Sequence, residues 1–145
     1  MIRISHRGNL FGPDPLRDNR VKAIEEVLRL GYHCEVDIRL VNGNYWLGHD
    51  EPQENVPLRF LQNECLWVHA KDGPTFVDLV NKGVHTFFHD RDPYTLTSKG
   101  HIWAYPSFEI AGCISVKPEI SGFTLADLVS KKCVGACSDN IAAYS

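Results

Sequence analysis

The sequence predicts an α/β fold, a compact, trimmed (β/α) barrel of the TIM type, and three observations carry that expectation. Strand-like runs alternate with helical ones, which favours parallel βα units. The strand runs are apolar early and polar late, ending in Arg7, Asp37, Lys71, His89–Asp90, Tyr105, Lys117–Glu119 and Asp139. A barrel whose site lies at the C-terminal mouth of its strands has that polarity. The stretch "HCEVDIRLV" (33–41) sets Cys34, Val36, Ile38 and Leu40 against His33, Glu35, Asp37 and Arg39, so it is a strand with two unlike faces. An open doubly wound sheet is the competing architecture. It usually carries a Gly-rich phosphate turn after its first strand, and "HRGNLFG" is not that turn.

Each element follows from its own residues. "IRISHRG" (2–8) is the first strand, followed by a Gly/Pro loop. A helix then runs from about Asn19 to Leu30, with Val21, Ile24, Val27 and Leu28 on one face and Gly31 as its stop. Asp18–Asn19 suits its N-cap. "NGN" (42–44) turns the 33–41 strand back into "YWLGHD" as a hairpin. A short helix spans 57–63, "LWVHAK" (66–71) is a strand, and Pro74 opens a helix that Gly83 closes. Strands follow at 85–90, 101–107, 113–118 and 133–139, with a helix at 124–131 before the last. About seven strands result, within one domain spanning residues 1–145.

Composition narrows the function. A net charge of −3 gives no basic footprint, so no nucleic-acid partner is expected. No apolar run is long enough for a transmembrane segment, and "MIRISHRGNL" has no signal-peptide pattern. The five cysteines include no CxxC pair, so a reducing, cytoplasmic setting is expected, with Cys133 and Cys137 as small buried hydrophobes. The oligomeric state is left open, a homo-oligomer included.

The two carboxylates of the 33–41 strand raise the chemical question. Parallel strands are covered on both faces, so Glu35 and Asp37 point toward the mouth and not into bulk water. Two residues apart on one face, they are held roughly 6–7 Å apart at the backbone. Unpaired, they would repel each other in a concave site, and a hard cation with oxygen ligands removes that cost. The surface-ladder alternative stands beside this reading for the pair taken alone.

The surrounding motifs add a resemblance. His6-Arg7-Gly8, then Asp18-Asn19, then Glu35-Val36-Asp37, then Gly48-His49-Asp50-Glu51-Pro52 occur in that order over residues 5–52. Together they resemble the glycerophosphodiester phosphodiesterase family, within the phospholipase-C-like phosphodiesterase superfamily. "HAK" (69–71) falls where that family has an acidic-x-Lys strand end, and "SDN" (138–140) resembles its closing strand.

The resemblance implies a TIM barrel and metal-dependent cleavage of a glycerophosphodiester-like small molecule, with a cyclic phosphate as an intermediate or lyase-type product. It implies His6 and His49 as acid and base, and Arg7 and Lys71 on the phosphate. One divalent ion (Mg, Ca or Mn) falls to Glu35 and Asp37, with Asp18 and His69 as further candidates. His69 stands where the family often has a carboxylate, and imidazole in the set favours a transition metal. Trp103, Tyr105 and Glu119 are candidate pocket residues. The alternative is a degenerate barrel that binds phosphate or metal as a sensing or scaffold module.

Overall fold

A computed structural model describes all 145 residues. The ten strands are β1 (Ile2–His6), β2 (His33–Val41), β3 (Asn44–Leu47), β4 (Glu54–Val56), β5 (Leu66–Ala70), β6 (Thr86–Phe87), β7 (Tyr94–Leu96), β8 (Ile102–Ala104), β9 (Cys113–Val116) and β10 (Gly135–Ser138). Helices are few: α1 (Val21–Arg29), α2 (Leu58–Leu61), α3 (Gly73–Asn81) and α4 (Leu125–Ser130), plus 3-10 turns at Pro118–Ser121 and Ile141–Tyr144. The two-residue strand β6 and the three-residue strands β4, β7 and β8 fall below the length at which period-two patterning can be read.

Seven strands run parallel in the order β6-β5-β2-β1-β10-β9-β8, so their C-terminal ends share one rim. The sheet is curled, but the ladder does not close. No strand pairing joins β6 to β8. Instead Ser98 N–H donates to the Thr86 carbonyl at 2.8 Å, and Thr86 N–H donates to Ser98 Oγ at 2.9 Å. β3 and β4 extend the other side as an antiparallel meander from the end of β2, while β7 folds back on β8.

The alternation in β2 splits as expected. Cys34, Val36 and Ile38 join the larger core beneath the helices, together with Leu66, Val68 and Ala70 of β5. On the opposite face, Ile4, Trp67, Phe87, Trp103 and Ile114 fill the inside of the curl. This inner cluster is the floor on which the strand-end polar groups stand.

Two local features set the site. Helix α1 begins at Val21, behind an Arg20 cap whose side chain makes no capping bond. Asp18 and Asn19 therefore do not cap it. The Val21 N–H is instead taken by Glu54 Oε2 at 3.0 Å, and Asn19 is turned toward β2. Gly48, after β3, has φ +150°, and a Cβ there would collide with the Glu51 carbonyl oxygen. Gly48→Ala should therefore displace the His49 loop and destabilise the fold by about 2–3 kcal/mol, seen as a fall in Tm of about 6–12 °C.

At the lower end of the curl, His85 lies between Trp67 (ring centroids 4.4 Å) and Thr97, whose Oγ1 is 2.9 Å from Nε2. Burial, helped by the positive charges of His101, Lys99 and His33, pushes its pKa down to about 4. The unfolded chain, titrating near 6.5, then takes up the proton first. Stability is full above that pH and falls as pH drops toward 4. Urea unfolding should lose about 2 kcal/mol from this group between pH 7.5 and pH 5, a slope that His85→Gln removes.

Candidate functional site

The rim gathers side chains from every part of the chain. His6 ends β1 and hydrogen-bonds through Nδ1 to Asp139 Oδ1 at 2.7 Å, just past β10. Its Nε2 is then free toward Glu35, whose Oε2 lies 3.8 Å away. Burial opposes a charge on His6, but the Asp139 hydrogen bond and the Glu35 and Asp139 charges outweigh it and raise the pKa. Asn9 Nδ2 also donates to Asp139 Oδ1 at 2.9 Å, Lys117 Nζ lies 3.0 Å from Oδ2, and the Asp139 N–H donates to Glu119 Oε1. These partners hold the Asp139 carboxyl well below its ordinary range against the effect of burial.

A second network surrounds Asp37, which is fully buried. Asn19 Nδ2 donates to Oδ2 at 2.9 Å, and the Asp37 N–H returns a bond to Asn19 Oδ1. Arg7 Nε lies 3.0 Å from Oδ2; His69 Nδ1 and Lys71 Nζ lie 3.2 and 3.4 Å from Oδ1. Burial alone would raise this carboxyl's pKa, but His69, Arg7 and Lys71 together lower it strongly.

Glu35, Asp37 and His69 present ligand atoms that all lie within 4.8 Å of one another, a separation that fits one metal ion. Glu35 Oε2 is buried without a hydrogen-bond donor, and Asp37 Oδ1 has only the ion-pair contacts of His69 and Lys71. A buried acceptor without a donor is costly, and a cation held between Glu35 and Asp37 satisfies it. Asp18 is not in this cluster. Its Oδ1 accepts from Asn9 at 2.7 Å, and its Oδ2 lies 3.5 Å from Arg7 Nη1.

Above the cluster is a cavity of about 310 Å³. Its polar side includes His6, Arg7, Glu35, His49 and His69, and Trp103 and Tyr105 form part of an apolar wall. His49 is half-exposed and hydrogen-bonded to Asp50 through Nδ1, and its backbone carbonyl is gripped by Arg39. Burial pushes the Tyr105 hydroxyl far up, so it stays protonated. Lys71 and Glu119 do not line the cavity: Lys71 stands behind Asp37, and Glu119 behind Asp139.

Asp139, Lys117, His89 and Asn9 are not among the candidate site residues drawn from the sequence, although the first three stand among its polar strand ends. Lys117 and His89 line the cavity, and Asn9 bridges Asp18 and Asp139. His89 stacks on His69 at 5.0 Å and on Tyr105 at 4.2 Å, and burial with the nearby charges of His69 and Lys71 pushes its pKa down to about 4. The Phe87/His89 spacing in "HTFFHD" is the sequence signal that sets it on the inner face. For Asn9 no local signal exists, because its partner lies 130 residues away.

No family model, no curated protein and no solved structure matches this chain. No helix is long and apolar enough to cross a membrane.

The ligand geometry makes a direct prediction. Calorimetric titration with Mn²⁺ should give one site per chain. Glu35→Gln or His69→Ala should weaken it at least tenfold, and Mn²⁺ should bind more tightly than Mg²⁺ because one ligand is imidazole.

Proposed function

We propose that the protein is a metal-dependent phosphodiesterase acting on small glycerophosphodiester-like molecules, built on a TIM-type barrel left open at one seam. One observation carries this reading. Two imidazoles, a guanidinium and two members of a metal-spaced cluster, Glu35 and His69, line the same cavity, with the third member, Asp37, buried beneath it. The order of the His6-Arg7-Gly8, Glu35-x-Asp37 and Gly48-His49-Asp50-x-Pro52 motifs supports it from the sequence side.

Glu35, Asp37 and His69 would hold the divalent ion. When bound, it neutralises phosphoryl charge and lowers the pKa of a coordinated hydroxyl or water. The remaining work falls to the chain's own residues. His6, with its Nδ1–H committed to Asp139, offers Nε2 as the proton acceptor for the attacking hydroxyl. His49, on the opposite loop and oriented by Asp50, delivers a proton to the departing alkoxide. The Arg7 guanidinium, fixed by Asp37 and Asp18 behind it, keeps N–H groups free for a non-bridging oxygen. Trp103 and Tyr105 wall off the apolar part of the alcohol. A neighbouring hydroxyl on that alcohol is the natural nucleophile, so a cyclic phosphate precedes any open monoester.

A second reading has an observation of its own. Arg7, Lys71 and His69 all converge on Asp37, an arrangement that balances the carboxylates without an ion and suits a phosphate-binding module with no turnover. Purified protein incubated with a panel of phosphodiesters and divalent ions, followed by phosphorus NMR, separates the two. Turnover should vanish on chelation, and His6→Ala and His49→Ala should each lower it by roughly 10²–10⁴. A substrate with a good leaving group should rescue His49→Ala more than His6→Ala. Absence of turnover on every diester, with phosphate still bound, favours the binding module.

A further inference from the structure

We infer that Lys117, and not Lys71, is the second cation on the substrate's phosphate, partnering Arg7 across the mouth. The inference deepens the phosphodiesterase reading and rests on it for the identity of the substrate.

Strand periodicity supplies the argument. In β1, Ile4 lies in the inner cluster and His6 follows it on the inner face, so Arg7 should point outward. In β9, Ile114 and Val116 lie in the inner cluster while Cys113 belongs to the outer core, so Lys117 too should point outward. Yet both Arg7 and Lys117 line the cavity. The backbone explains how. Arg7 has φ 57° and Lys117 has φ 48°, both left-handed. A left-handed residue just past a strand end leaves the strand's alternation, so its own side chain can turn to the inner side.

For Lys117 the conformation is doubly disfavoured, since lysine is neither Gly nor Asn and the residue also precedes Pro118. Strain of this sort persists where the surrounding structure over-determines it, and functional sites are where it concentrates. The two strands flank β10 on either side, so the same device delivers one cation from each. Each is anchored from behind by carboxylate: Arg7 by Asp37 and Asp18, Lys117 by Asp139 at 3.0 Å. Anchoring uses part of each donor set and leaves the rest for an anion.

Lys71 is placed differently. It follows β5 in ordinary register on the inner side, but its ammonium lies 3.4 Å from the buried Asp37 Oδ1 and does not line the cavity. Its charge offsets Asp37.

Inorganic phosphate, titrated into the Mg²⁺-supplemented protein and followed by calorimetry, tests the assignment without turnover. Lys117→Met should weaken phosphate binding by about tenfold or more, Lys117→Arg should restore most of it, and Lys71→Met should change it by less than about threefold. Lys117→Gly removes the charge while relieving the left-handed strain, so backbone strain cannot account for a loss in that variant, which must match the loss in Lys117→Met. Equal affinity in wild type, Lys117→Met and Lys117→Gly overturns the inference, as does a larger loss in Lys71→Met or a wild type that binds no phosphate. Phosphate bound through Lys117 by a protein that cleaves no diester would retire the phosphodiesterase reading and keep this one. A working diesterase whose phosphate affinity ignores Lys117 would do the reverse.

Discussion

The burial of Asp37 is the constraint on which the rim depends. Its carboxylate has no contact with water, and a lone charge in that position is several kcal/mol out of place without partners. The partners come from β1 (Arg7), from the approach to α1 (Asn19) and from β5 (His69 and Lys71). Satisfying one acidic group therefore fixes the relative height of three parallel strands and the entry of the first helix. Asn19 illustrates the cost: it adopts φ 55° so that its amide can meet both the Asp37 side chain and backbone.

Asp139 repeats the arrangement on the other side of β1. There the partners are His6, Asn9 and Lys117, so β1 carries one residue for each network: His6 toward β10 and Arg7 toward β2. The two carboxylates are both strongly ionised, but in different company. Around Asp139 a single histidine has its outward nitrogen free. Around Asp37 the donors divide between its two oxygens, Asn19 and Arg7 on Oδ2 and His69 and Lys71 on Oδ1, and Glu35 and His69 lie at metal-ligand spacing beside it. Two acidic centres thus support different chemistry because of which neighbours each strand end supplies.

The half of the site that lies in residues 5–52 was legible in the sequence because it is written in local motifs and in one strand with perfect period-two alternation. Glu35, Asp37, His6, Arg7 and His49 could be placed from spacing and resemblance. The parallel strand count was also legible. What lay beyond reach depended on breaks in periodicity. Lys117 sits one residue out of phase and is brought in only by its backbone dihedral. Asn9 acquires its role from a partner at the far end of the chain. The unclosed seam could not be foreseen either, since β6 is two residues long and its other edge meets a hydroxyl side chain in place of a strand.

The pairing of β1 with β10 has a kinetic consequence. His6 and Asp139 are 133 residues apart, and the ladder that brings them together joins the first strand to the tenth. Closing so long a loop is slow compared with forming the β2–β3 hairpin or any helix. The His6–Asp139 pair therefore cannot exist in a partly folded chain, however native its β2–β5 half. A species with the Asp37 network formed and β10 undocked would carry the metal-spaced cluster but have an unoriented His6. During refolding, the Glu35–Asp37–His69 cluster should form before the His6–Asp139 pair, and the lag between the two would time the arrival of β10.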